Sequence, residues 1–164
     1  MADERTYLIR AAAIDDLPSM LFRHPLNPHS EVELRTLSDR AGLQRLGIHV
    51  GRIPPGKESF CYHYHHVQEE FVYIIAGRGV AEIGDERFDV GPGDFMAFPA
   101  LSPAHHLCNP FDADLVYLMG GERTAYEVGE FPRLRKRAIF DRSGAYIIDI
   151  DATQPFFPGS GESE

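Results

Sequence analysis

The sequence predicts an all-β domain arranged as an antiparallel sandwich or barrel. About eight short apolar and aromatic segments follow one another between Leu43 and Met119, at the spacing typical of such folds. The 15 glycines and 12 prolines are scattered between these segments as turn residues and are not gathered into one linker. No segment in this stretch keeps a helical period, so strands are predicted throughout it.

The individual strands follow from alternation and from turn residues. Leu46, Ile48 and Val50 alternate with smaller or polar residues, which is the period of a strand. Later segments are rich in aromatic and β-branched residues, and most of them end at a glycine, proline or aspartate. The predicted strands, in chain order, are 46–50, 60–66, 71–75, 80–83, 87–90, 95–98, 105–109 and 115–119.

A chain of 164 residues has room for one core, and three parts can be distinguished along it. Residues 1–40 are expected to form an N-terminal arm that packs on the barrel, with His24 and His29 as exposed loop residues. Residues 41–121 form the barrel core. Residues 122–164 form a C-terminal extension with a candidate late strand at its end, and the tail after residue 155 is expected to be disordered.

The charge of the chain argues against two classes of partner. Lys and Arg number 16 against 25 Asp and Glu, and the resulting charge of −9 disfavours nucleic acid and anionic membranes. Two cysteines, Cys61 and Cys108, are too few for a disulfide framework, and the charged start shows no secretory signal. No apolar stretch approaches the length of a membrane span. We therefore expect a cytoplasmic protein.

Five of the eight histidines fall in two clusters, at 63–66 and 105–106. If the aromatic segment around the first cluster is a strand, His63 and His65 point to the same face. Glu70 follows on the next segment, and His105 can join them if the barrel closes. Three imidazoles and one carboxylate suit Fe(II), Mn(II), Ni(II), Co(II) or Zn(II), with coordination positions left open for a substrate. A His-x-His pair alone is a weak signal, so the prediction rests on the joint pattern.

The joint pattern resembles the two sequence motifs of the cupin superfamily. The first motif consists of Gly56, six residues, His63-x-His65, four residues, Glu70, six residues and Gly77. The second consists of Gly93, five residues, Pro99, His105, three residues and Asn109. The sequence departs from the family pattern by one extra residue before each motif's first histidine. It also has Leu101 where the family usually has a glycine.

The resemblance spans roughly residues 43–121. It implies a double-stranded β-helix barrel, or jelly roll, to which the N-terminal arm and the C-terminal extension are added. It also implies one divalent transition metal bound by four ligands, namely His63, His65, Glu70 and His105. Glu69 is the nearest rival of Glu70, and His106 could exchange roles with His105 if the altered loop shifts the register of the strand.

Two further residues, Cys61 and His49, have two interpretations each, and for Cys108 the face of its strand is predicted. Cys61 could support the site from beside the metal, or it could be a small buried hydrophobic residue. His49 could exchange protons with a substrate, or it could be an ordinary strand histidine. Cys108 is expected on the opposite side of its strand from His105. The basic segment 133–137 is expected to be solvated, or to bind an anion or another subunit.

For the function, the resemblance implies a mononuclear metalloenzyme acting on a small organic molecule. Oxidation of the dioxygenase type is the leading hypothesis. A redox-neutral isomerase, decarboxylase or lyase is the first alternative, and a non-catalytic ligand-binding or regulatory module is the second. By the same resemblance we expect a homodimer. Because cupins carry out many reactions, catalytic residues are not predicted beyond the candidates His49 and Cys61.

Overall fold

A computed structural model describes residues 7–156, and these residues are mainly β-strands. Two short helices, α1 (Ala11–Ile14) and α2 (Leu37–Ala41), lie in the N-terminal arm, and 3-10 turns lie at Pro132–Leu134 and Ile150–Ala152. The all-β prediction is therefore confirmed. The strands are β1 (Ser19–Phe22), β2 (Val32–Thr36), β3 (Leu46–Ile53), β4 (Lys57–Glu58), β5 (Tyr64–His65), β6 (Glu70–Ala76), β7 (Gly79–Ile83), β8 (Glu86–Val90), β9 (Phe95–Phe98), β10 (His105–Asn109), β11 (Leu115–Glu122), β12 (Glu127–Phe131), β13 (Lys136–Asp141) and β14 (Gly144–Asp149).

The strands form three antiparallel sheets. The largest has the order β1-β2-β3-β11-β6-β9, and a second has the order β4-β10-β7-β8. These two sheets face each other as the walls of a jelly-roll barrel. The third sheet, β14-β13-β12-β5, is built mainly from the C-terminal extension and joins the barrel through the two-residue strand β5. The arm likewise adds its strands β1 and β2 to the edge of the largest sheet.

The main core lies between the first two sheets. Ile53, Ile74 and Leu115 from the largest sheet are fully buried, and they belong to the same cluster as Ala81 and Leu107 from the second sheet. A smaller cluster of Cys61, Phe131 and Ala138 joins the third sheet to the segment that precedes β5. Burial of apolar surface on both sides of this segment holds the histidines that follow it.

One motif glycine has a clear steric reason. Gly77 ends β6 with a φ of +79°, and a Cβ at this position would collide with the carbonyl oxygen of Asp114. A residue with a side chain would therefore push β11 away from β6. The conformation of Leu101, with a φ of +62°, is of the same left-handed type, at the place where the cupin pattern has glycine.

The structure differs from the predicted strands at residues 60–66. The predicted strand at 60–66 is mostly irregular, because only Tyr64–His65 form a strand and His63 makes an isolated bridge with His105. In the basic segment 133–137, four side chains pair with acidic residues of the same chain, and Arg133 and Arg135 stay more than half exposed, so binding of an anion or another subunit there remains a prediction. The prediction of a disordered tail after residue 155 falls on residues 157–164, which lie outside the described residues.

Candidate metal centre

The four predicted ligands come from three elements that meet at one end of the barrel. His63 lies just before β5 and His65 ends it, Glu70 begins β6, and His105 begins β10. Ligand atoms of His63, Glu70 and His105 all lie within 4.8 Å of one another. Nε2 of His65 lies beside this group, 3.1 Å from Nε2 of His63 and 3.1 Å from Oε2 of Glu70.

Backbone carbonyl groups orient two of the imidazoles. Nδ1 of His63 donates to the carbonyl oxygen of Cys61 over 2.7 Å, and Nδ1 of His105 faces the carbonyl oxygen of Pro103 at 3.4 Å. A carbonyl oxygen only accepts, so the proton of each ring is on Nδ1 and the lone pair is on Nε2. The ring of His105 also stacks on Phe98, with the two planes within 3° of parallel. Both rings therefore present Nε2 to the same group of ligand atoms.

The third imidazole is held by side chains. The side-chain amide of Gln68 lies 2.8 Å from Nδ1 of His65, and a carboxylate oxygen of Glu127 lies 3.7 Å from the same nitrogen. Glu127 is almost fully buried, and it accepts the backbone N–H groups of His66, at 3.0 Å, and of Gln68, at 2.7 Å. Glu127 thus fixes the loop between β5 and β6 that carries His65. It was not predicted, because its partners lie some 60 residues earlier in the chain.

Burial and charge make this an unusual group of titratable side chains. Burial lowers the pKa of His63 to about 3, so its ring is neutral. Burial alone would raise the pKa of Glu70, but the facing imidazoles of His105 and His65 outweigh it and hold this pKa below its usual range. Burial alone would lower the pKa of His65, but the carboxylates of Glu70 and Glu127 together raise it. The site therefore keeps an ionised carboxylate among imidazoles.

This donor set fits a divalent transition metal. The lone-pair nitrogens of His63 and His105 face Oε2 of Glu70 at 3.8 and 3.4 Å. Two lone pairs and a carboxylate oxygen repel one another unless a proton or a cation lies between them. A divalent cation would satisfy all three, and nitrogen-rich sites with one carboxylate suit the later first-row metals. That His63, His65, Glu70 and His105 bind such an ion remains a prediction.

Two cavities adjoin the candidate ligands. The mouth cavity, of about 270 Å³, is lined by His63, His65 and Glu70 and by apolar side chains of the arm and extension, including Phe22, Phe131 and Phe140. The inner cavity, of about 40 Å³, lies in the barrel and is lined by His63, Glu70 and His105 together with Tyr117. The candidate ligands lie between these spaces. A substrate entering the mouth cavity would meet them at its floor.

His24 is a site residue that the sequence analysis placed wrongly. It was expected on an exposed loop, but it is half-buried and lines the mouth cavity, with its ring 5.2 Å from that of Phe131. Its Nδ1 accepts the backbone N–H of Leu26 over 3.2 Å, so a neutral ring carries its proton on Nε2. Burial lowers its pKa, which favours this neutral form. His29 is exposed, as expected.

Tyr117 contributes a polar atom to the inner cavity. Its side chain is almost fully buried, and its hydroxyl group has no hydrogen-bond partner among residues 7–156. Burial raises its pKa, so the hydroxyl stays protonated. A buried hydroxyl without a partner costs stability, and such atoms are uncommon in native proteins. Alternation along β11 indicates that this side chain is buried, and no other sequence feature indicates a role for its hydroxyl group.

The two other candidates lie away from the predicted ligand atoms. Nδ1 of His49 forms a hydrogen bond of 3.0 Å with the hydroxyl group of Thr36, and His49 lines neither cavity. Cys61 packs its side chain into the small cluster with Phe131, and burial raises its pKa. Its link to the site is through its backbone carbonyl, which orients His63. A catalytic role for either side chain receives no support from this geometry.

The rivals of the predicted ligands point elsewhere. Nε2 of His66 lies 3.0 Å from Glu130, on the outer side of β5. Neither His106 nor Glu69 belongs to the group of ligand atoms formed by His63, Glu70 and His105. His106 and Cys108 instead lie together on the opposite face of β10, as alternation predicted for Cys108.

None of the helices within residues 7–156 combines the length and apolar character needed to cross a membrane.

Solved structures of other proteins resemble this chain. The chain resembles a crystal structure of a provisionally assigned sugar phosphate isomerase from Acidithiobacillus ferrooxidans, with 32% identity and a TM-score of 0.87. The match covers 92% of this chain and 97% of that one.

Two further relatives match a smaller share of the chain. A sugar phosphate isomerase of the cupin superfamily from Silicibacter pomeroyi is 29% identical, with a TM-score of 0.76, over 84% of this chain and 88% of that one. An uncharacterized protein of Methanocaldococcus jannaschii is 35% identical over 51 residues, which span 31% of this chain and 40% of that protein. The sequence profile of the cupin domain matches residues 49–131, just over half of the chain. The predicted resemblance is thereby confirmed, and the chain belongs to the cupin family.

Proposed function

We propose that this cupin is a metal-dependent enzyme that rearranges a small hydroxycarbonyl compound without net oxidation. The observation that carries the proposal is the convergence of three imidazoles and an ionised carboxylate at the floor of the mouth cavity. A bound divalent ion would act there as a Lewis acid, polarising a carbonyl oxygen and stabilising negative charge on it. In an isomerisation, one proton leaves the carbon beside the carbonyl group and another returns to its neighbour, so no external oxidant is needed.

The protein's own residues would position the substrate. His24 lines the mouth cavity, and its neutral ring, with the proton on Nε2, would donate a hydrogen bond to a substrate oxygen. The phenylalanines of the arm and extension would exclude water from the reacting end, which strengthens each electrostatic interaction in the site. His63, His65, Glu70 and His105 would hold the metal, and Glu127 would fix the loop that carries His65.

The charge of the mouth cavity bears on the substrate class. Sugar phosphate isomerase is the name of both similar structures, which supports a redox-neutral reaction of a sugar-like compound. No Lys or Arg, however, is among the described residues that line the mouth cavity. A phosphate inside it would have no cation besides the metal. We therefore propose that the reacting hydroxycarbonyl end enters the cavity, and that any phosphate group stays outside it.

A second candidate is the dioxygenase-type oxidation that leads the sequence-based hypotheses. The donor set contains no sulfur and combines several imidazoles with one carboxylate, a chemistry that also suits Fe(II). Oxygen uptake separates it from the redox-neutral reaction. The predicted homodimer and the cytoplasmic location remain predictions, and neither distinguishes the two candidates.

One experiment tests both candidates. Protein purified without a histidine tag is loaded with Mn(II), Zn(II) or Fe(II) and incubated in D₂O with hydroxycarbonyl compounds and their phosphate esters. Under anaerobic conditions, we expect deuterium to be incorporated at the carbon beside the carbonyl group and an isomeric product to form. The His63→Ala/His105→Ala double variant, which lacks two ligands, is the matched control and should show neither.

The outcomes are distinct. Oxygen consumption by the Fe(II) form, without anaerobic exchange, would favour the oxidation. If no metal form turns over or exchanges any compound, and the double variant binds as much metal as the wild type, the enzymatic proposal and the ligand assignment are both wrong. Binding of a compound without exchange would instead indicate a ligand-binding module.

A further inference from the structure

A second group of metal-ligating side chains lies on the outer face of β10, away from the barrel interior. Ligand atoms of Glu58, His106 and Cys108 all lie within 4.8 Å of one another. His105 faces the first site from the inner face of the same strand, and His106 and Cys108 face outward. Glu58 is added by β4, which pairs with β10 so that Glu58 is directly opposite Cys108.

The geometry of this outer cluster is compact. Sγ of Cys108 lies 3.2 Å from Nε2 of His106, and Oε2 of Glu58 lies 3.7 Å from the same nitrogen. The amide of Asn27 donates to Oε2 of Glu58 over 2.9 Å and also to the carbonyl oxygen of Phe60 over 2.8 Å. The arm thus fixes the carboxylate against the two side chains from β10.

An independent observation concerns the other nitrogen of His106. The side chain of His106 is 6% exposed, and its Nδ1 has no hydrogen-bond partner in the described part of the chain. The carboxylate of Glu82 lies 3.5 Å from Nδ1. Histidines that bind metals commonly donate their second N–H to a carboxylate. With its proton on Nδ1, toward Glu82, His106 presents the lone pair of Nε2 to Cys108 and Glu58.

The surrounding charges leave room for a cation. Two arginines flank the cluster, but both already pair with Glu82, Arg133 at 2.8 Å and Arg87 at 2.6 Å. The guanidinium of Arg133 also lies over the ring of Tyr62, 3.7 Å from its centre. Lys57 reaches only toward Glu31, at 3.8 Å. The carboxylate of Glu58 has no Arg or Lys partner within residues 7–156.

We propose that Glu58, His106 and Cys108 form a second metal site, selective for Zn²⁺, outside the barrel. One sulfur, one nitrogen and one oxygen donor match the ligands that zinc accepts in tetrahedral sites. Three protein ligands leave the fourth position open. The cluster borders a surface cavity of about 530 Å³, so water or a small anion could complete the coordination.

A thiol nucleophile is the main rival interpretation of the outer cluster. Burial, with the charges of Glu58 and Glu82, raises the pKa of Cys108 to about 12. A cysteine that acts as a nucleophile needs the opposite shift, which a neighbouring cation or helix N-terminus produces. Without a cation in the cluster, the thiol therefore stays protonated and unreactive.

Cobalt spectroscopy can test the outer site separately from the barrel site. Co²⁺ substitutes for Zn²⁺, and a thiolate bound to it gives an intense charge-transfer band in the near ultraviolet, which imidazole and carboxylate ligands do not give. The barrel ligands include no cysteine, so the band reports the outer site alone. We expect the wild-type chain to show this band and to bind two Zn²⁺ ions per chain.

The variants assign the band. The His63→Ala/His105→Ala double variant should keep the band and bind one Zn²⁺. The chain has two cysteines, so a band that persists in Cys61→Ser must come from Cys108, even if a Cys108 variant fails to fold. A folded Cys108→Ser variant should lose the band and one Zn²⁺. A wild-type protein that binds Co²⁺ without the band, or a band that disappears in Cys61→Ser alone, would overturn the proposal.

Discussion

The two faces of β10 place neighbouring histidines in different chemical surroundings. His105 points inward, where Phe98 stacks on its ring and where Glu70 supplies the only carboxylate in contact among residues 7–156. His106 points outward, between two carboxylates and beside a thiol. A one-residue step along a strand therefore changes the donor set from nitrogen-rich to mixed sulfur, nitrogen and oxygen.

Adjacent histidines on one strand therefore need not share a function. The inner site is surrounded by aromatic and aliphatic walls, so its charges are poorly screened and its substrate is kept from water. The outer cluster is bordered by Arg133 and Arg87, and its cavity is lined by charged side chains. We expect the inner face to carry catalysis and the outer face to carry a metal whose loss leaves catalysis largely intact.

Exchanging the two histidines for alanine should give the largest difference. We expect His105→Ala to lower kcat/KM by more than about 100-fold, because loss of a direct ligand exceeds the usual effect of losing a residue that orients one. His106→Ala should lower it less than about threefold. Steady-state kinetics with the metal content of each variant measured in parallel would test this, and equal losses in both variants would contradict the division between the faces.

Removing the carboxylate that supports His65 should have the next largest effect. Glu127→Ala leaves the N–H groups of Val67 and Gln68 without their acceptor, while that of His66 keeps the carbonyl oxygen of Val128, so we expect a cost of about 2 kcal/mol of unfolding free energy. Metal affinity of the inner site should fall about 10- to 100-fold. Urea unfolding and metal titration would measure both effects.

Glu130 is the matched control for Glu127. It lies on the same strand, and it pairs with His66 and Arg137 near the surface. Glu130→Ala should cost about 1 kcal/mol and leave metal affinity unchanged. If Glu130→Ala weakened metal binding as much as Glu127→Ala, the role of Glu127 in holding the ligand loop would be wrong.

A smaller effect is expected from Tyr117, which faces the inner cavity. Tyr117→Phe removes a buried hydroxyl that has no partner among the described residues, so we expect the unfolding free energy to rise by about 1 kcal/mol. If the hydroxyl instead binds a substrate oxygen, KM should rise with little change in stability. Thermal unfolding and kinetics of the same variant separate the two, and a loss of stability would show that the hydroxyl has a partner in solution.

The extent to which the sequence predicted the molecule differs between these regions. The proximity of His63, His65, Glu70 and His105 could be predicted, because two local motifs contain all four residues, and that they bind a metal stays a prediction. The placement of Cys108 opposite His105 followed from the same alternation. Most of the strand expected at 60–66 is irregular and only Tyr64–His65 form a strand, since aromatic composition also suits a segment that packs between two clusters.

Other features depend on contacts between distant parts of the chain. His24 was assigned to an exposed loop from its flanking prolines, but the arm folds back and places it in the mouth cavity. Glu58 joins the outer cluster only because β4 pairs with β10 in one register, which composition and alternation do not reveal. Strand order and register are set by the whole barrel, so a single sequence predicts them poorly.

The smallest expected effect concerns the turn that leads into β10 and so determines which histidine faces inward. Leu101 has a φ of +62°, and its backbone N–H donates to the carbonyl oxygen of His65 over 2.7 Å. A leucine in this conformation costs about 1 kcal/mol, and its side chain is exposed and gains little in return. Leu101→Gly relieves the backbone strain but raises the conformational entropy of the unfolded chain, so the net gain in unfolding free energy should be about 0.5 kcal/mol. Because the hydrogen bond to His65 is kept, metal content and activity should stay unchanged. A loss of stability would mean that the leucine side chain, and not the backbone, holds β10 in register.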